Sequence, residues 1–522
     1  MSIQWKNLDT VDAFSRIQAD DTDFRKDLTA ERIGSRQIPA GGGLVFHYGA
    51  ARIGDENLEK LKKLSEQQQL TEKYKLLLDG ERINTGENRR VLHHLTRGRL
   101  GSEVIDEGTN LGDFYAEQRS RIRAFSEDIH TGRIKGSTGK NFDTVVQIGI
   151  GGSDLGPRAL YLALKQACTP KMKAHFISNV DPDDAAEIIS LINPETTLFI
   201  LVSKSGTTQE TLANRDLVIN KMKEAGPDGY DPSAHIIAVT SKTSPLAGSD
   251  DVLDSFYIDD FIGGRYSSTS AVGGVVLSLA LGNDVFEELL AGAHDADKAA
   301  MEPDPFRNAA LMDALLGVYN RNVLNLPSTA VLPYSQALSR FPAHLQQLDM
   351  ESNGKSVNRD GEPVSYVTGP VVFGEPGTNG QHSFYQLLHQ GTDIVPLQFI
   401  GFRSSQAKED VEIDGSTSQE KLNANLAAQI VAFAKGHSHE NPNKDFAGMR
   451  PSTLLAADEL TPRSLGALLA HFENKVMFQG FCWNVNSFDQ EGVQLGKVLT
   501  KSVLAGDSDD EALRAYASLL LG

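Results

Sequence analysis

Four short apolar runs, separated by helical patterns, constrain the fold of this chain more than any other feature. The runs are DTVVQIGI, KAHFISNV, TTLFILVS and AHIIAVTS, all between residues 143 and 241. Each is rich in β-branched or aromatic residues, and stretches with helical patterning such as LGPRALYLALKQA lie between them. Alternation of strands and helices predicts a parallel, doubly wound α/β sheet.

A second α/β region and helical extensions complete the predicted architecture. Strand candidates STAVLPYS, PVVFGE and DIVPLQFIG follow residue 327, and a chain of 522 residues is too long for one typical core. Near the N-terminus, leucines 58, 61 and 64 share one helical face. We expect a helical segment at 1–118, α/β domains at 119–290 and 291–500, and a helical tail at 501–522. Ser508 and Glu511 have capping-box spacing in that tail.

Composition excludes several classes of partner. The net charge is −19 and no long Lys/Arg block occurs, so nucleic acid is not an expected partner. An anionic substrate would need a locally positive site. The run VVLSLALG is too short to span a membrane, and the first residues lack the apolar core of a secretory signal. Cys168 and Cys482 match no disulfide framework. We expect a cytoplasmic protein with no membrane partner.

The stretch VVQIGIGGSDLGPRAL resembles half of a dinucleotide-binding fingerprint. Gly149 and Gly151 match the first two positions of G-x-G-x-x-G, but Asp154 occupies the third. A carboxylate is a poor neighbour for a pyrophosphate. Gly152 and Ser153 offer a flexible backbone and a hydroxyl, which suit a small polar ligand. The alternative is a plain strand-to-helix turn.

A hydroxyl-rich turn follows the third strand candidate. It combines hydroxyls, one lysine and the start of a helix in six consecutive residues: Ser203, Lys204, Ser205, Gly206, Thr207 and Thr208. Free N–H groups and the positive end of the helix favour a bound phosphate. The P-loop pattern is absent, so a phosphomonoester is predicted in preference to a nucleoside triphosphate. The alternative is an ordinary helix cap.

One acid–base candidate lies on a predicted helix within ALSRFPAHLQQLDMESNGKSV. Pro342 suits the first turn of this helix and Gly354 suits its end. Gln347 and Glu351 are four residues apart, on a face away from the leucines. By spacing alone, Glu351 is more simply a solvated surface residue.

Three further stretches contain candidate polar groups. In GEPGTNGQHSFYQLLHQGTD, His382 falls in the first turn of a predicted short helix. Gln490 and Lys497 share one helical face, although Ser487 and Gln490 also have capping-box spacing. Arg265 precedes a hydroxyl-rich helix start, where it pairs with a surface acid or stabilises negative charge on a substrate.

The order and wording of these motifs resemble one family. GIGGSDLGPRAL, SKSGTTQET, GGRYSSTSAVGG, QQLDMESNGK, GEPGTNGQHSFYQLLHQGTD and SFDQEGVQLGK together are similar to the glucose-6-phosphate isomerase (phosphoglucose isomerase) family, over residues 80 to 500. The resemblance implies two sugar-isomerase (SIS) α/β sandwich domains with helical extensions. It also implies reversible conversion of glucose 6-phosphate to fructose 6-phosphate by ring opening and a cis-enediol(ate), without cofactor or metal, in a homodimer with shared active sites.

The same resemblance assigns roles to residues of this sequence. Glu351 would move a proton between C2 and C1, and Arg265 would face the enediolate. His382, from the neighbouring subunit, and Lys497 would assist ring opening. The residues expected to contact substrate are Gly152, Ser153, Ser203, Lys204, Ser205, Gly206, Thr207, Thr208, Gln347 and Gln490.

One departure and two alternatives accompany this interpretation. The family usually has glutamate where this chain has Gln494, which affects the expected positioning of Lys497. A non-catalytic phosphosugar sensor would need the hydroxyl-rich turn but not Glu351, His382 or Lys497. An aminosugar-phosphate isomerase of the same fold would be fed by a glutaminase nucleophile, and none is evident near the N-terminus.

Overall fold

The computed structural model describes residues 3–20 and 23–521. The strands are β1 Gln37–Gly41, β2 Leu44–His47, β3 Ile105–Asp106, β4 Thr109–Asn110, β5 Thr144–Ile148, β6 Lys173–Ile177, β7 Thr197–Val202, β8 Ile236–Thr240, β9 Asp254–Tyr257, β10 Ser328–Pro333, β11 Val371–Phe373, β12 Leu397–Ser404, β13 Glu412–Ile413, β14 Ser416–Thr417 and β15 Ser452–Glu459.

The α-helices are α1 Asp12–Ser15, α2 Phe24–Asp27, α3 Ala30–Ser35, α4 Asp55–Gln67, α5 Leu70–Leu78, α6 Leu111–His130, α7 Leu155–Leu164, α8 Pro182–Leu191, α9 Gln209–Ala225, α10 Ala271–Leu281, α11 Asn283–Ala299, α12 Ala309–Val318, α13 Phe341–Asn353, α14 Tyr385–Gln390, α15 Ser418–Lys435, α16 Pro462–Trp483, α17 Gln494–Ala505 and α18 Glu511–Leu521.

The first sheet confirms the predicted parallel α/β unit. Its five strands are parallel, in the order β6-β5-β7-β8-β9. Successive residues of β7 point to opposite faces: Ile200 joins the core shared with α7 and α10, whereas Leu201 packs with α8 and α9. Burial on both faces explains why the three inner strands β5, β7 and β8 have mostly apolar sequences. The fifth strand, β9, has the sequence DSFY and was not predicted.

The second sheet is mixed and recruits the N-terminal segment. Its order is β1-β2-β15-β12-β10-β11, and its four C-terminal strands are parallel. The hairpin of β1 and β2 adds to β15 in antiparallel pairing, so the prediction that residues 1–118 are mostly helical is wrong for residues 37–47. Glycines 41 to 43, all with positive φ, make the tight turn. Strand β15 was also not predicted.

The helices between the two sheets join them through one core. The predicted helical stretch from residue 273 to 301 is two helices, α10 and α11, because Gly282 adopts φ +101 between them. Every residue of α10 is buried. Helix α11 packs along α16. A capping box at Thr461 begins α16, and its residues from Ser464 to Trp483 are buried.

The C-terminal arm, residues 491–521, has no buried residue within α17 or α18. The predicted capping box at Ser508 and Glu511 is wrong. Asp510 accepts the N–H of Leu513 at 2.9 Å, and the Ser508 hydroxyl accepts the N–H of Asp510 instead. Among all the helices described, none combines the length and apolar character needed to cross a membrane.

Candidate active site

Two loops meet at the carboxyl edge of the first sheet. Strands β5 and β7 are parallel neighbours, and Ile148 pairs with Leu201 near their ends. The glycine loop, residues 149–154, follows β5, and the hydroxyl loop, residues 203–208, follows β7. In an open α/β sheet, this edge is where ligands bind.

Close backbone packing explains a glycine in the first loop. A Cβ at Gly152 would lie 2.2 Å from the carbonyl carbon of Gly264. Gly151, one residue earlier, adopts φ +59 in the short turn Gly151–Ser153. Glycine at position 152 therefore lets the loop pack directly on the segment that carries Arg265.

Asp154, at the third glycine position of the dinucleotide-binding fingerprint, forms an ion pair. Asp154 is buried, and its Oδ1 accepts a hydrogen bond from Nε of Arg158 at 2.8 Å. Burial raises the pKa of the Asp154 carboxyl, and the nearby Arg158 opposes that rise. The start of α7 thus presents a carboxylate already paired with its own helix, which argues against a pyrophosphate here.

The hydroxyl loop closes on itself before α9. Ser203 Oγ accepts the N–H of Gly206 at 3.1 Å and shares a hydrogen bond with Thr208 Oγ1 at 2.9 Å. Ser205 Oγ accepts from the N–H and the hydroxyl of Thr207. Ser205 and Thr207 are exposed, and Gln209 begins the helix. Hydroxyls in front of a helix N-terminus form a cradle suited to a phosphate group.

Lys204 links this loop to the neighbouring one. Its Nζ donates to the carbonyl of Ile262 at 3.2 Å and lies 3.8 Å from Asp260 Oδ1. Burial lowers the pKa of the Lys204 ammonium, while Asp260 raises it. Lys204 therefore places a positive group between the hydroxyl loop and the segment that leads to Arg265.

Arg265 is buried and faces the acid–base candidate. Its guanidinium Nη1 lies 3.6 Å from Glu351 Oε2. Its Nε donates to Ser352 Oγ at 2.6 Å, and Nη2 donates to the carbonyls of Ser487 and Asp489 at 2.6 and 2.9 Å. The alternative of an ion pair at the surface is wrong, because Arg265 is 1% exposed and the side chain of Glu351, its acidic neighbour, is 20% exposed.

Helix α13 confirms the predicted placement of Gln347 and Glu351 on one face. Leu345 and Leu348 point into the core, and Pro342 and Gly354 bound the helix as expected.

The Gln347 amide nitrogen lies 3.3 Å from the position of a Cβ on Gly151, so it borders the glycine loop. In the described residues, Gln347 Oε1 and Glu351 Oε2 are buried without a hydrogen-bond partner. This face of the helix therefore presents two buried oxygens that accept no hydrogen bond from the described part of the chain, and that of Glu351 lies beside Arg265.

The two loops, Arg265, Gln347 and Glu351 form one cluster. Three predicted site residues lie outside it. His382 is exposed in the turn Gly380–His382, which precedes α14 instead of forming its first turn. Lys497 is exposed on α17, and Gln490 is exposed where the arm begins. Gln490 nevertheless follows Asp489, whose carbonyl binds Arg265.

The region around Arg265 includes residues that sequence reasoning did not select. The predicted capping box of Ser487 and Gln490 is wrong: Ser487 Oγ donates to Asn353 Oδ1 at 2.7 Å. Lys355 forms a short ion pair with Asp489. Lys355 ends the stretch QQLDMESNGK and Asp489 lies in SFDQEGVQLGK, but spacing along the chain does not indicate that these stretches touch.

A cavity of about 50 Å³ lies against the other face of α13. Asp349, Lys475, Gln479 and Ser452 are among its lining residues. Burial raises the pKa of the Asp349 carboxyl to about 6. Across residues 3–20 and 23–521, no three His, Cys, Asp or Glu side chains converge as a metal site would require.

Comparison with known proteins identifies the family. The phosphoglucose isomerase family model matches residues 47–519. The glucose-6-phosphate isomerase of Treponema denticola is 59% identical over 529 residues, covering 99% of this chain and 100% of that protein. The protein of the same name from Borreliella afzelii is 48% identical, covering 99% of each. The crystal structure of a glucose-6-phosphate isomerase from Chlamydia trachomatis superposes with a TM-score of 0.91 at 41% identity, over 99% of each chain. The chain belongs to the phosphoglucose isomerase family.

Proposed function

We propose that this protein catalyses the reversible isomerisation of D-glucose 6-phosphate to D-fructose 6-phosphate. The observation that supports this most is the arrangement of Glu351 and Arg265. A carboxylate whose buried oxygen accepts no hydrogen bond within residues 3–20 and 23–521 lies 3.6 Å from a buried guanidinium. An aldose–ketose isomerisation needs such a base beside a positive group.

The phosphate of the substrate binds the hydroxyl loop in this proposal. The exposed hydroxyls of Ser205 and Thr207, with the N–H groups at the N-terminus of α9, donate hydrogen bonds to the phosphate oxygens. Lys204 adds positive charge nearby, which a chain with net charge −19 needs in order to attract an anion. Gly152, Ser153 and Gln347 line the adjacent wall, where they contact the sugar.

Glu351 carries out the proton transfer. The carboxylate takes the proton from C2 of the open-chain aldose, which leaves a cis-enediolate. The carboxyl then returns a proton to C1, while the hydroxyl proton passes from O2 to O1. Arg265 Nη1 stabilises the negative charge that develops on the oxygens. The hydrogen moves as a proton, so the proposed reaction needs neither a metal nor a redox cofactor.

Ring opening requires a proton to move between the ring oxygen and O1. We assign this step to Lys497 and to His382 of the partner subunit, because family resemblance gives both a place near the sugar ring. Gln490 is assigned a polar contact with the substrate on the same ground. The exposure of all three in the single chain fits a site that a second copy completes.

The C-terminal arm supports a homodimer. It exposes seven large apolar side chains, each at least 61% exposed: Leu495, Val498, Leu504, Tyr516, Leu519, Leu520 and Leu521. A concentration of such side chains on a helical pair indicates a surface that is buried in an assembly. The proposed occupant is a second copy of this chain. A cytoplasmic location is part of the same proposal, since Cys168 and Cys482 are free thiols.

A coupled assay tests the proposed function. Purified protein is given fructose 6-phosphate, and glucose 6-phosphate is detected by an added dehydrogenase, with no metal or nicotinamide in the isomerase step. We expect saturable turnover. Binding of the sugar phosphate without turnover would support the phosphosugar sensor and contradict the isomerase.

A further inference from the structure

The loop of residues 484–490 supplies two backbone carbonyls that accept hydrogen bonds from the Arg265 guanidinium. The carbonyls of Ser487 and Asp489 both accept from Nη2, at 2.6 and 2.9 Å, and Ser352 accepts from Nε. These contacts leave Nη1 as the group that faces Glu351. The direction of Nη1 therefore depends on where the loop places its two carbonyls.

The loop is anchored through the side chain of Asp489. Its carboxylate forms a short ion pair with Lys355 and accepts from Asn486 Nδ2 at 2.7 Å. Lys355 Nζ also donates to the carbonyl oxygen of Asp489 at 3.3 Å. One backbone oxygen thus accepts from both Lys355 and Arg265.

Charge balance explains why the anchor is a carboxylate. Two cations meet at one carbonyl oxygen, and without a nearby negative charge they would repel each other. Side chains of Lys355 and Asp489 are each only 16% exposed, so solvent screens their attraction less than it would at the surface. The carboxylate offsets the second cation and keeps the carbonyl in place.

We propose that Lys355 and Asp489 are positioning residues for the isomerase reaction. Their ion pair fixes the carbonyls of Ser487 and Asp489, and these aim Nη1 of Arg265 at the developing enediolate. The inference rests on the proposed function, since it needs Arg265 to face substrate. Lys355 acts through Arg265 and does not itself take part in proton transfer.

Paired variants test this positioning role. Asp489→Asn removes the charge at nearly constant volume, Lys355→Met removes the cation, and Lys355→Arg preserves it. We expect the first two to lower kcat roughly ten- to hundredfold, because small displacements of a stabilising group are costly. KM should stay within about twofold, since the phosphate contacts are untouched. Lys355→Arg should restore most of the lost kcat.

Matched controls separate positioning from general destabilisation. Lys140 pairs with Glu195 at 2.7 Å, at the amino edge of the first sheet, so Lys140→Met breaks a more exposed lysine–carboxylate pair far from the site. This control should keep wild-type kcat. Affinity for a phosphorylated hydroxamate analogue of the enediolate should fall in Asp489→Asn more than affinity for fructose 6-phosphate.

Several outcomes would overturn the inference. Wild-type kcat in folded Asp489→Asn protein would do so, as would a raised KM at unchanged kcat. Equal kcat losses in Lys355→Arg and Lys355→Met would also contradict it. If Lys355→Met fails to fold, the nearly isosteric Asp489→Asn decides. Absence of turnover in the wild-type protein would instead refute the proposed function.

Discussion

Gln347 and Glu351 each bury a side-chain oxygen without a hydrogen-bond partner among the described residues. An unsatisfied buried acceptor costs about 1–3 kcal/mol. Sugar hydroxyl groups are donors that would satisfy both oxygens on binding. A polyhydroxylated ligand would supply the donors that these two oxygens lack among the described residues, a feature that spacing on a helix does not reveal.

The raised pKa of Asp349, on the opposite face of α13, leads to a prediction of how the stability of the protein depends on pH. Burial raises the pKa of its carboxyl from 3.8 to about 6, so the folded protein keeps this proton after the unfolded chain has lost it. The free energy of unfolding should fall as pH rises from about 4 to about 6, by up to roughly 3 kcal/mol from this group.

The Asp349→Asn variant keeps the shape of the neutral acid and cannot ionise. We expect its melting temperature to exceed that of the wild type at pH 8, and the difference to become small only near pH 3.5, below the pKa of the carboxyl in the unfolded chain. Asp228→Asn, at an exposed position, is the matched control and should change neither value. A melting temperature of Asp349→Asn below wild type at pH 8 would contradict this explanation.

At the scale of elements, the sequence predicts best where pattern and burial agree. Strands β5, β7 and β8 were predicted because every residue in them is buried and the runs are mostly apolar, whereas the edge strand β6 was predicted from a shorter apolar run. Helix α13 was predicted from its leucine spacing and its proline and glycine ends. Strand β9 and the hairpin of β1 and β2 were missed, because short strands of mixed polarity depend on pairing partners distant in sequence.

The candidate site was predictable residue by residue but not in its geometry. Hydroxyls before α9 and the carboxylate of Glu351 follow from local sequence and from family resemblance. The hydrogen bonds from Arg265 to the carbonyls of Ser487 and Asp489 join residues more than 200 positions apart in the sequence. Backbone acceptors leave no side-chain signal, so neither composition nor motif spacing indicates them.

The packing of Gly152 on Gly264 yields a prediction for two loops. A Cβ at Gly152 would meet backbone that cannot move aside as a side chain would. We expect Gly152→Ala to displace the Arg265 segment and to lower kcat by tenfold or more, by the sensitivity of catalysis to small shifts. Gly34→Ala, where a Cβ meets nothing within 4 Å, is the control. Wild-type kcat in Gly152→Ala would show that the close contact does not position Arg265.

The whole molecule is strongly acidic, with a net charge of −19, and it carries an exposed apolar arm. Lys204 and Arg265 bring two cations to the edge of the first sheet, where Asp260 and Glu351 are their acidic neighbours. The arm and the exposed His382 lie outside the cluster formed by a single chain. Both features are explained if two copies assemble and share their sites.

Mixing two inactive variants tests shared sites. Glu351→Gln and His382→Ala should each be strongly impaired alone. In a mixed dimer, one site combines intact Glu351 with intact His382 of the partner subunit. After random exchange of subunits, we expect about a quarter of wild-type activity, since half the dimers are mixed and each has one competent site. Mixed dimers, detected by two different tags, without recovered activity would contradict sharing.

The most direct test of the central claim is to follow glucose 6-phosphate by NMR in D₂O with purified protein. We predict fructose 6-phosphate that carries deuterium at C1, because the proton held by Glu351 exchanges with solvent before its return. Glu351→Gln should still bind the sugar phosphate but lower conversion roughly 10²- to 10⁴-fold. Glu362→Gln, at an exposed position, should convert the substrate at the wild-type rate. Absence of fructose 6-phosphate, deuterium-free product, or near-normal conversion by Glu351→Gln would contradict the account.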